Sequence, residues 1–197
     1  MIDDSLQLHF KDMAEIVGGN GFSVVRMTDA SERRALCIIC DQAMTGQLAI
    51  RSKNVPGRQI MLPEVLFDML LDENSIDDFY IQAFGIYQGQ YQVVLYNRRL
   101  DSHKFIRISD AILLHVMAGV PFYILRSLMA MQSTPFSPDN PAISIPINTL
   151  DTESLNRELE HAVENEDYRL AAILRDEILK RKNRSRSEER RVGKECR

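Results

Sequence analysis

The hydrophobic and polar positions change period several times along the 197 residues. Residues 22–27 (FSVVRM) and 35–40 (ALCIIC) are short apolar runs separated by the polar stretch 29–33, which predicts two strands and a turn. Residues 42–51 suit a short helix and 54–58 (NVPGR) a loop. Pro63 fits a first helical turn, and apolar side chains at 65, 66, 69 and 70 carry that helix to Leu71. Residues 78–87 and 90–97 alternate on either side of Gln88-Gly89, the pattern of a tight hairpin.

The stretch 105–125 (FIRISDAILLHVMAGVPFYIL) compresses three elements. Phe105 to Ile108 alternate as a strand. Ser109 or Asp110 is an expected N-cap, its side-chain oxygen accepting a backbone N–H of the next turn. Residues 111–118 then form a buried helix, Gly119 suits its C-terminal position, and Pro121 bars continuation before a strand at 122–125. Together these elements define an α+β fold built on a compact mixed sheet, expected over residues 1–132.

Residues 133–150 hold four prolines and are expected to be a linker. Residues 151–182 follow with a different pattern, that of a helical hairpin. Leu155, Leu159, Ala162 and Val163 share one face, residues 164–167 (ENED) interrupt, and Asp167 can cap a second helix carrying Tyr168, Ala171, Ala172, Arg175 and Ile178. Helices this short must bury their stripes on each other and on a partner, so the hairpin is an interaction module. Its contact residues are expected to be Leu159, Tyr168, Ala172, Arg175 and Ile178.

Composition narrows the classes. There is no run of eighteen apolar residues, so no membrane span is expected, and the acidic start MIDDSLQLHF lacks the form of a signal peptide. Three cysteines, one of them at position 196, make no disulfide framework, which points to the cytoplasm. Residues 183–197 (NRSRSEERRVGKECR) are expected to be disordered and resemble translated vector sequence. They hold six of the 24 basic and three of the 28 acidic residues; without them 18 basic face 25 acidic, a net charge of −7. So acidic a body lacks the usual footprint of a phosphate-holding surface, and any nucleic-acid site would have to be local.

Candidate chemistry is sparse. Arg107 and Asp110 could act together, the guanidinium holding a phosphate oxygen and the carboxylate orienting water or a divalent ion; the alternative is that Asp110 caps its helix and pairs with Arg107. Ser109 is a helper cap rather than a nucleophile, because no histidine or lysine is placed to activate it. Cys37 and Cys40 have zinc-like spacing, but no second pair exists and strand geometry points them to opposite faces, so they are core thiols. His9, His103, His115 and His161 show no metal spacing, and Gly18-Gly19-Asn20-Gly21 is not followed by the lysine of a phosphate loop. No cofactor is evident, with Mg²⁺ or Mn²⁺ the ion such a site would take.

Two resemblances add to this. Residues 155–179 (LNRELEHAVENEDYRLAAILRDEIL) resemble the UVR motif, the helical hairpin of the excision-repair proteins UvrB and UvrC, through Leu155, Ala162, the acidic turn, Tyr168, Ala171-Ala172, Leu174-Arg175-Asp176 and Ile178. That motif implies protein–protein contact. Arg107-Ile108-Ser109-Asp110-Ala111-Ile112, followed by Gly119-Val120-Pro121-Phe122-Tyr123, resembles the signature of the bifunctional nuclease (BFN) domain, over roughly residues 6–130. The resemblance implies a bacterial, self-associating α+β domain that hydrolyses DNA and RNA, with Arg107, Ser109 and Asp110 at the chemistry and Arg58 and Arg107 on the nucleic acid. The chain departs from the family pattern where Asp41-Gln42-Ala43-Met44 lacks a glutamate and Met61-Leu62-Pro63-Glu64 lacks a histidine. Those departures define the alternative: a non-catalytic adaptor that self-associates and recruits a partner through the hairpin.

Overall fold

The structure is a computed structural model that describes residues 4–15, 22–53, 55–137, 152–164, 166, 168, 171–172, 174–179 and 181–182. The chain divides into two compact units, residues 1–85 with 91–144 and residues 86–90 with 145–197.

The first unit is α+β. Its strands are β1 (Ser5–Glu15), β2 (Ser23–Thr28), β3 (Arg34–Cys40), β4 (Phe79–Tyr87), β5 (Gln90–Asn97), β6 (Ser102–Ile106), β7 (Phe122–Leu125) and β8 (Ser133–Pro135). They form one mixed sheet in the order β6-β5-β4-β7-β1-β2-β3-β8. β1 pairs antiparallel with β7 through Ser5–Leu8 and with β2 from His9 onward, and a register shift between Phe10 and Asp12 interrupts the pairing with β2. β7 runs parallel to β4, as a strand returning after an intervening helix can. Gln88 and Gly89 both have positive φ, 49° and 81°, the turn that suits the twist of a two-residue hairpin.

The helices are α1 (Gln42–Ser52), α2 (Leu62–Leu71), α3 (Ile108–Ala118) and α4 (Arg126–Gln132). α3 packs on β1 and β7 and against α1 and α2, while α4 contacts β1, β3 and β7. Leu8, Ile81, Phe122 and Ile124 from the sheet and Leu48 and Ile112 from the helices are fully buried and make the core. Rings line another part of the sheet: Tyr80 stacks toward Tyr96 at 4.9 Å, Tyr96 lies parallel to His103, and Phe84 meets Phe105.

Two expectations are corrected. β6 ends at Ile106 and α3 starts at Ile108, so Arg107 rather than Ser109 or Asp110 occupies the N-cap position. Residues 133–135, assigned by composition to the linker, instead pair with β3 as an edge strand, where proline is tolerated. The rest of that proline-rich stretch, 138–150, and the tail 183–197 lie outside the described residues, as does Gly18-Gly19-Asn20-Gly21.

The second unit contains α5 (Thr152–Glu164) and a second helical run over 168, 171–172, 174–179 and 181–182. Leu155, Ala162, Ala171, Leu174 and Ile178 form its core, with Leu159 packed against it. Between the helices Glu166 takes φ 58° and its N–H donates to the Val163 carbonyl at 3.1 Å. Asp167, the expected cap, lies outside the described residues.

Candidate functional site

Arg107 stands where β6 hands over to α3, with extended backbone (φ −67°, ψ 147°) and no side-chain cap bond. Its Nε donates to Asp110 Oδ2 at 2.6 Å and its Nη2 to Oδ1 at 3.0 Å, a two-pronged pair between neighbours three apart on a helix. The pair lies at the surface, with the arginine side chain 76% exposed. The bond to Asp110 chiefly, then the Coulomb attraction of Asp110 and Asp41, holds the guanidinium above its usual range. Asp110 therefore sits in the first turn of α3, where the helix dipole favours an acid. Ser109 is half-buried in that same turn.

Asp41 is the residue that the motif reasoning passed over. It caps α1, accepting the Met44 N–H at 2.8 Å, and α1 packs on α3. It adds a small Coulomb attraction to Arg107, whose bonded partner is Asp110. Its signal in the sequence was an Asp at a strand-to-helix junction.

Arg26, Arg51 and Arg58, three other arginines of this unit, have partners of their own. Arg26 is held by both oxygens of Asp12 at 2.6 Å and lies over the Phe136 ring. Arg51 is buried and donates to Gln47 and, at 2.7 Å, to Glu64 Oε2 of α2. Arg58 donates to the Arg51 carbonyl at 3.2 Å, so the structure does not join it to Arg107 through a shared partner. Lys53 is exposed. Among the described residues no group of three His, Cys, Asp or Glu side chains could hold a metal ion. Cys37 and Cys40 are buried thiols, and burial with the neighbouring Asp41 pushes Cys40 up to about 11. Such a thiol stays protonated and unreactive at neutral pH.

Two apolar surfaces complete the picture. α2 has no buried residue: Leu62, Leu66 and Met69, with the preceding Ile60, are all more than half exposed. The 65, 66, 69, 70 spacing was legible as a helix, and the structure leaves that apolar face exposed. On the hairpin, the five expected contact residues divide. Leu159 and Ile178 belong to the hairpin's own core, because two short helices bury their best stripes against each other first. Tyr168, Ala172 and Arg175 are exposed, and with Leu179 they form one stripe at i, i+4, i+7 and i+11. Val163, expected on the inner face, is exposed as well.

The described parts are an α+β unit and a helical hairpin with an open stripe. Compared with known families, residues 152–183 match the model of the UvrB/uvrC motif, in agreement with the hairpin reading. The BFN resemblance of residues 6–130 has no counterpart in that comparison. No curated protein matches the chain. Among the described residues no helix is long and apolar enough to cross a membrane.

Proposed function

We propose that the chain is an adaptor: the first unit self-associates, and the hairpin recruits a protein partner through Tyr168, Ala172 and Arg175. The observation that carries this is the exposed stripe on the segment that matches the UvrB/uvrC motif. An aromatic ring and an arginine flanking a small residue are the composition of an interface anchor. Further support comes from Arg26, Arg51 and Arg107, each paired with a carboxylate of its own unit where a nucleic-acid surface needs free cations. In this reading the protein works in the bacterial cytoplasm, and the BFN-like unit serves assembly rather than hydrolysis.

A second reading is hydrolysis of DNA or RNA phosphodiesters, with Arg107 and Asp110 nearest the chemistry, Ser109 beside them, Arg58 on a phosphate and Mg²⁺ or Mn²⁺ as the ion. It is favoured by the exposed Arg107 held in a two-pronged bond by Asp110, with Asp41 adding a smaller Coulomb attraction. Labelled single-stranded DNA and RNA, incubated with the full chain and with Asp110→Asn in Mg²⁺, Mn²⁺ or EDTA, separate the two. The adaptor reading expects no metal-dependent cleavage that the variant loses. Cleavage by the parent that vanishes in an equally folded Asp110→Asn reverses the order of the two readings.

A further inference from the structure

We infer that the outward face of α2 is where a second copy of this chain docks. The inference rests on the self-association of the first unit proposed above and gives that contact a surface.

The helix is fixed from its inner side. Glu64 bonds to the buried Arg51 of α1 at 2.7 Å, and Phe67 meets Phe79 of β4 at 6.2 Å between ring centres. Its outer side carries Leu62 (69% exposed), Leu66 (56%) and Met69 (64%) at i, i+4 and i+7, with Ile60 (80%) ahead of them. A firmly seated helix that turns its apolar stripe outward is half of a helix pair.

Area and charge both fit a twin. With Val65 and Leu70 the stripe exposes roughly 700 Å² of apolar residue, above the few hundred typical of a monomer's largest patch. Complete burial of the stripe on both copies would cover at most about 1,400 Å², which reaches the range of stable interfaces. α2 has no basic residue in its last turn, and Asp72 and Glu73 follow at its C-terminal end, where its own dipole disfavours acids. In a two-fold antiparallel pair, those acids come to the N-terminal end of the partner's α2, where the dipole favours them and where Glu64, the acid of that first turn, is already paired with Arg51. Such a pair crosses near Leu66, the middle of the stripe.

Sedimentation of the full chain across a dilution series tests this, with Leu66→Lys/Met69→Lys beside the parent and Leu100→Lys, an exposed leucine on another turn, as control. The parent and the control are expected at twice the 22.6 kDa chain mass, and the double variant at one chain mass with unchanged circular dichroism. A parent dimer that ignores the two lysines overturns the surface and leaves self-association standing. A parent that is monomeric throughout overturns both, whichever other occupant covers the stripe, and leaves hairpin recruitment to its own test. If the double variant unfolds, Leu66→Cys in a Cys196→Ser background decides. A covalent dimer under mild oxidation supports the contact, and its absence overturns it.

Discussion

His115 lies within α3, with its Nδ1 2.8 Å from the Val120 carbonyl, its ring edge-on to Phe122 and His9 close by. The carbonyl can only accept, so the neutral ring carries its proton on Nδ1. Burial, with a smaller contribution from His9, pulls the His115 pKa below its ordinary 6.5, and the Val120 bond only partly opposes this. A base whose folded pKa is depressed binds fewer protons than the unfolded chain, so its contribution is complete above about pH 6.5 and is lost as pH falls below it. Urea midpoints are expected to drop between pH 7.5 and 5.5 in the parent and to drop less in His115→Gln; equal slopes would contradict this. Pairing of Arg107 with Asp110 was legible from their spacing. The cap was not, because the handover from β6 to α3 leaves no residue between Arg107 and the first turn, and that geometry moves Ser109 and Asp110 inside it. The influence of Asp41 was illegible because it crosses between helices 66 residues apart.

Elements with punctuation were legible: the Gln88-Gly89 hairpin, α2 behind Pro63, and α3 ending at Gly119, whose φ of 75° suits glycine. β1 was not. Its alternation slips at the irregularity between Phe10 and Asp12, so neither face shows an unbroken period over its 11 residues. α4 has seven residues, too few for a helical period, and β8 is hidden among prolines. At this scale the buried Arg51–Glu64 pair matters most, since it ties α1 to α2. Arg51 Nε and Glu64 Oε1 are both buried without a partner among the described residues, so the pair is incompletely satisfied. Glu64→Leu alone should destabilise by about 3 kcal/mol by stranding a buried cation, whereas adding Arg51→Met should recover most of that loss. A double-mutant cycle in denaturant measures both, and a double variant as weak as the single one would contradict the argument.

As a whole molecule, the chain joins an acidic α+β unit, whose cations are largely tied into internal pairs and carbonyl bonds, to a hairpin with a spare stripe. The hairpin was legible because its periods are local. The exposed side of α2 was not, because apolar spacing reports a helix face without reporting what covers it. The central claim is that Tyr168, Ala172 and Arg175 meet another protein. A photo-crosslinking residue replacing Ala172 in the full chain, compared in cells with the same residue replacing the exposed Glu160 of α5, tests it most directly. The account predicts an adduct of one defined added mass from position 172, lost with Tyr168→Glu and absent from position 160. No adduct from 172, or the same adducts from both positions, would contradict it.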